Sequence, residues 1–301
     1  MQAARRRTGR RTYAFLATTA ALATAAALAA ALPAQAHPDR GGHGRPGRYQ
    51  EPPGHPGRPE GRGHDRADLP LEHPGGPAPI GNRVIGYISA DVDNTGTESP
   101  MGDLIADAQL AHGRELDPRT SLALMNPGGV RAGLTYAAEG AEGDGVVTYA
   151  EGFTVQPFAN TVNLQDFTGA QLIQVLKEQV SGGNAAAPKI LQPSSGLTCT
   201  LDLTKSGADR VVTDSIRLNG APLDPAATYR VATNSFLAGG GDGFPTLGQG
   251  TNDLVGGDDL VGGDDLVGGD DLGALEKYLT AHSSATSPLA PPAADRITVV
   301  Q

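Results

Sequence analysis

The chain has 301 residues, a formal net charge of −10 and a single cysteine, Cys199. One thiol excludes an internal disulfide, and the length allows one large domain or two small ones. The acidity says little about partners: six aspartates of one short repeat carry −6 of the −10, leaving −4 elsewhere, and no nucleic-acid polymer is expected to bind.

Residues 1–36 read as an export signal. A basic start, MQAARRRTGRRTY, precedes an apolar run of mostly Ala and Leu, and PAQA places small residues at Ala34 and Ala36. This is the layout of a secretory signal with cleavage before His37. A retained membrane anchor is the alternative, but the run is rich in Ala and Thr and a cleavage pattern follows it. The Arg10–Arg11 pair leaves the export route open between the general and twin-arginine systems. A secreted or cell-envelope location follows, with no stable membrane insertion after cleavage.

Residues 37–82 are nearly all Pro, Gly, His, Arg and acids. They hold too little apolar surface to offset chain entropy and predict a disordered linker. Five of the seven histidines lie here, but no two share a helical or strand face, so a solvated linker is favoured over a metal site.

From Arg83 the pattern becomes globular, and 83–301 reads as a single α+β domain with a mixed sheet. RVIGYISAD has strand propensity. Ser99 is a candidate N-cap with Pro100 at the first helical position. Met101, Leu104, Ile105, Ala108 and Leu110 then fall on one helical face. SLALMN is a short apolar strand. VVTYAEGFTVQPF mixes a helical turn with an extended piece. NTVNLQDF alternates as a strand, and TGAQLIQVLKEQV is a helix with Leu172, Ile173, Val175, Leu176 and Val180 inward. Strands follow at 198–204, where Cys199 reads as a small buried hydrophobe, at 211–218 and at TYRVATN. LGALEKYLTAH is the last helix and DRITVV the closing strand.

Residues 254–271 are LVGGDD three times. Asp258, Asp259, Asp264, Asp265, Asp270 and Asp271 could offer calcium hard oxygen ligands, but the glycine–aspartate calcium repeat has a nine-residue period. A local duplication in a surface loop, its last copy leading into the final helix, is the simpler reading.

Three segments carry candidate chemistry. In NPGGVRAG, Asn126 and Arg131 bracket Gly128 and Gly129 just after an apolar strand, where ligands bind in α/β-type sheets. Arg offers a planar fork suited to phosphate oxygens, although a structural turn would read the same. In TVQPFANT, Phe158 taken alone reads as core. In NSFLAGGGDGFP, Asp242 stands among Gly240, Gly241 and Gly243, between Phe236 and Phe244. A carboxylate there can accept two ribose hydroxyls, and Phe236 with Phe158 could hold a flat base. A tight turn with a capping acid is the alternative.

Taken together, ESPMGDLIADA, NPGGVRAGL, FTVQPFANTVNLQDFTGAQLIQVLKEQ, TYRVATNSFLAGGGDGFPTL and PPAADRI resemble, in order and spacing, the C-terminal domain of the 5′-nucleotidase family. The resemblance spans about 83–301. It implies a substrate-recognition domain in which Phe158 and Phe236 sandwich the base and Asp242 bonds the ribose hydroxyls. It also implies that Asn126 and Arg131 contact the base and the phosphate side, and that Asn160 lines the base pocket. Phe244 is then packing behind the turn.

Two departures qualify what the resemblance implies. Family members carry an N-terminal metallophosphoesterase domain that holds two divalent metals through Asp-x-His, Asn-His-Asp/Glu and Gly-His-x-His motifs, and none of these motifs occurs here. His112 and His282 are the only histidines beyond the leader and linker. No metal or cofactor site is therefore expected in this chain, and no catalytic residue. In addition, DVDNTGTESPMG offers Asp91, Asp93 and Glu98 where a phosphate-binding Arg is often found, so phosphate contacts would fall on Arg131. The expectation is an exported protein that recognises a nucleoside or nucleotide. Hydrolysis would need a separate metallophosphatase chain. A stand-alone binding module and a truncated product without a role are the alternatives.

Overall fold

The computed structural model describes residues 80–138, 140–255 and 269–301, all within the unit Pro70–Gln301. The leader, nearly all of the linker and the aspartates of the first two repeat copies lie outside the described residues.

In chain order, β1 (Val84–Tyr87) is followed by α1 (Pro100–Leu116). Ser99 caps α1 by accepting from the Gly102 amide, and Pro100, which lacks an N–H, sits where none is needed. All five apolar residues expected on its inner face are buried. So are Asp103, Gln109 and His112, because α1 is enclosed on more than one side. The strand β2 (Thr120–Met125) follows. The segment expected to mix extended and helical structure resolves into β3 (Val146–Thr148) and α2 (Tyr149–Val155), joined by a Thr148–Glu151 capping box. A second capping box, Thr168 with Gln171, separates β4 (Val162–Thr168) from α3 (Gly169–Glu178).

Beyond α3 come β5 (Gln192–Pro193), β6 (Leu197–Asp202), β7 (Val211–Leu218), β8 (Ala221–Pro222) and β9 (Thr228–Asn234). Then follow the one-turn helix α4 (Ser235–Ala238), β10 (Thr251–Val255), α5 (Asp271–His282) and β11 (Ile297–Val300). Cys199 of β6 packs in the core, and burial pushes its thiol up to about 12.

The central sheet has the order β10-β4-β9-β2-β5. Only β2 and β9 run parallel; the other pairs are antiparallel. A second sheet, β11-β6-β7-β8, and a pair, β1-β3, complete the α+β architecture. Apolar side chains cover both faces of the central sheet. Leu122 and Leu124 of β2 join one core with Leu172, Val175 and Phe244. Met125, whose side chain goes to the other face, joins a second with Met101, Leu104, Ile105, Leu275 and Leu279. A strand buried on both faces has no polar alternation, which is why SLALM is a continuous apolar run.

Candidate functional site

The parallel strands β2 and β9 end side by side, and three asparagines gather there. Asn126 follows the last residue of β2, Asn234 is the last residue of β9, and Val162 of β4 pairs with Asn234 and so brings Asn160 alongside. Such carboxyl ends of parallel strands leave backbone and side-chain polar groups free of the ladder. Asn234 accepts from the Leu237 amide and thereby caps α4, which presents Phe236. Its amide also donates to Asn126 Oδ1 at 2.9 Å. Asn126, itself buried, donates from Nδ2 to Asp242 Oδ2 at 2.6 Å.

Asp242 caps no turn. Both hydrogen bonds of its carboxylate go to side chains, the second from Lys189 Nζ to Oδ1 at 2.5 Å. Its backbone lies in the left-handed region at φ 56, flanked by Gly240 at φ 82 and Gly243 at φ 80. Gly241 is required for a different reason: a Cβ there would stand 2.7 Å from the Phe236 ring. The loop thus folds tightly against the aromatic and turns its carboxylate toward β2.

These segments enclose a cavity of about 420 Å³ lined by Asn126, Gly128, Gly129, Phe158, Asn160, Asn234, Phe236 and Asp242. Phe158 is 54% exposed and Phe236 49%, whereas Phe244 is fully buried behind the loop. The reading of Phe158 as core is therefore corrected. Ala159 after it takes φ 52, and the ring is left at the cavity wall. Asn160 lines the same wall, donating to Asp271 Oδ2 at 3.1 Å. Burial pushes the Asp271 carboxyl up to about 6, against the lowering effect of the Asn160 bond.

Arg131 stands apart from this cavity. Its guanidinium lies 5.7 Å from the Phe158 ring centroid and donates to the Gly128 carbonyl at 3.1 Å. It lines an adjoining cavity of about 480 Å³ with Asp91, Asp93, Asn94, Glu151 and Thr154. Glu98 is turned away from both cavities, accepting from the backbone of Arg296 and Ile297. Two residues were missed in the sequence. Asn234 had a local signal, a strand-ending Asn before Ser-Phe; Lys189 had none. Among the described residues there is no group of three or more His, Cys, Asp or Glu that could share a metal ion.

Residues 84–249 match the family model described as 5′-nucleotidase, C-terminal domain. The chain is similar to the trifunctional nucleotide phosphoesterase protein YfkN of Bacillus subtilis, at 32% identity over 55% of this chain and 11% of that protein. It is similar to the cell wall protein Lmo0130 of Listeria monocytogenes, at 31% identity over 54% of this chain and 21% of that one. Among solved structures, the 5′-nucleotidase precursor from Thermus thermophilus superposes with a TM-score of 0.56 at 30% identity. That match covers 73% of this chain and 40% of the other. The chain thus spans under half the length of each of these proteins. The chain therefore belongs to the 5′-nucleotidase family, whose C-terminal domain its residues 84–249 match.

Proposed function

We propose that this chain recognises a nucleoside or nucleotide in the cavity beneath Phe158 and Phe236. The observation that carries the reading is the wall itself. Two half-exposed phenylalanines, three asparagines and an aspartate come from separate segments to one cavity within the size range of small-molecule sites. Exposed aromatic faces suit a flat base, and a carboxylate held by two donors retains acceptor sites for sugar hydroxyls. Arg131, beside Phe158 and facing the adjoining cavity, is the cation available to a phosphate. Asp91 and Asp93 share that second cavity, which favours nucleoside over tightly bound nucleotide.

The test is calorimetry with nucleosides and their monophosphates. Removing one stacking face should cost about 1–3 kcal/mol, or roughly 5- to 150-fold in affinity. Unchanged heats for Phe236→Ala would sink the stacking assignment.

In this reading hydrolysis belongs to a separate metallophosphoesterase unit, because the Asp-x-His, Asn-His-Asp/Glu and Gly-His-x-His motifs do not occur in this sequence. The purified chain is expected to release no phosphate from AMP with added divalent cation. Release that a chelator abolishes would overturn this. Export to the cell envelope agrees with the leader pattern, and one relative is named a cell wall protein. No described helix is long and apolar enough to cross a membrane.

A further inference from the structure

We propose that Lys189 sets the sugar specificity of this cavity, by holding the Asp242 carboxylate with one acceptor site on each oxygen turned to a vicinal diol. The proposal rests on the reading of the cavity as a nucleoside site. A carboxylate has about four acceptor sites, two per oxygen. Here Asn126 takes one on Oδ2 and Lys189 takes one on Oδ1. The two donors come from separate segments, 116 and 53 residues before Asp242 in sequence, and together they fix the plane of the carboxylate. One site per oxygen remains, which is what two neighbouring hydroxyls need. A sugar lacking both hydroxyls would gain nothing from this arrangement.

Lys189 is placed for this by structure, not by an accidental surface encounter. Its amide donates to the Gln179 carbonyl at 3.0 Å, and the Leu191 amide donates to Gln179 Oε1 at 2.7 Å. Gln179 is buried at the end of α3, so the backbone on both sides of Lys189 is pinned to one residue. The Asp242 loop rests on the same support: a Cβ at Gly243 would meet Asn184, which donates to the Glu178 carbonyl. Lysine and aspartate are thus both registered against the carboxyl end of α3. An ammonium suits the role because it is a compact charge that occupies one acceptor site, whereas a guanidinium fork would take two.

The experiment measures binding of adenosine, guanosine, cytidine and uridine to the full chain by calorimetry, with their 2′,3′-dideoxy analogues and AMP. Lys189→Met is expected to weaken the best ribonucleoside about tenfold, the loss of a charge-assisted contact. The matching dideoxy analogue should change by less than about twofold, because it never used the carboxylate. If thermal melting shows that Lys189→Met does not fold, Lys189→Gln serves in its place with the same split expected. An equal loss for both sugars, no loss for either, or a loss confined to AMP would overturn the proposal. If the unmodified chain binds none of the four ribonucleosides, the reading of the cavity falls and this proposal with it. Binding by the unmodified chain without the split overturns Lys189 alone.

Discussion

Ala159 and Asp242 both bear side chains and both hold left-handed backbone, at φ 52 and φ 56. Ala159 orients Phe158 at one wall of the cavity, and Asp242 presents its carboxylate at another. A left-handed conformation costs an L-residue about 1–2 kcal/mol, and such strain gathers where side chains must be aimed. Asp242 has a short polar side chain that tolerates the conformation; Ala159 has no such compensation. Ala159→Gly is therefore expected to stabilise the chain by about 0.5–1 kcal/mol, the relief being partly offset by the greater freedom of glycine in the unfolded chain. A denaturant midpoint that falls on this substitution would contradict the assignment of strain. Phe158 shows why single residues mislead. A lone phenylalanine near a strand is normally core, and only the turn at Ala159 leaves it at the surface.

At the scale of elements, the LVGGDD repeat has a register to explain. Strand β10 pairs Leu254 with Leu164 and Val255 with Asn163. The next contacts along the same edge are the Val162 amide to the Gly269 carbonyl and the bridge of Asp270 with Thr161. Uninterrupted pairing would put residue 257 opposite Thr161, thirteen positions before Asp270. Two six-residue copies account for twelve of those thirteen. With those twelve removed, the one left over would be what a β-bulge inserts. The last copy then serves the fold: Asp270 caps α5 through the Gly273 amide at 2.7 Å, and Asp271 holds Asn160. Deleting residues 256–267 is thus expected to leave folding and nucleoside binding intact. Loop length enters closure entropy only logarithmically, so stability should change by no more than about 1 kcal/mol. Aggregation of the shortened chain, or a loss of binding, would show that the extra copies do more than lengthen the segment. Of the six aspartates of the calcium reading, Asp258, Asp259, Asp264 and Asp265 lie outside the described residues, while Asp270 and Asp271 bond the Gly273 amide and Asn160.

For the whole molecule, the junction of α1, β5 and β11 ties the two cores together. Arg296 donates to both oxygens of Asp107, at 3.0 and 2.7 Å, and to the Pro193 carbonyl at 2.7 Å. Asp103 beneath it is fully buried, and neither carboxyl oxygen finds a hydrogen-bond donor. Burial pushes its carboxyl up to about 8, Glu98 adding to the rise and Arg296 opposing it. A carboxyl raised in the folded state contributes stability that is full below its unfolded value near 4 and is lost as pH rises to 8. Asp103→Asn removes that titration while the other carboxyls cancel in the comparison. The melting temperature of the unmodified chain is expected to fall relative to Asp103→Asn as pH goes from 5 to 8. The slope would approach about 1.4 kcal/mol per pH unit at most. Parallel melting curves would show that Asp103 is ionised throughout.

Local chemistry carried much of this molecule into view before any coordinates. The Ser99–Pro100 start, the inward stripe of α3 and the unbroken apolar run of β2 each follow from neighbours a few residues apart, where capping, periodicity and burial act. The same holds for the glycines around Asp242, since a left-handed turn needs them locally. The partners of Asp242 could not be read this way. Asn126 and Lys189 reach it across 116 and 53 residues, and nothing in KIL marks a lysine for that carboxylate. Which face of the sheet receives Phe158, that Arg131 opens onto a neighbouring cavity, and that Asp270 resumes pairing along the edge of β4 are likewise consequences of packing. Sequence determined the elements and the family because those depend on short-range order; the site depends on which distant ends the parallel pair β2 and β9 brings together.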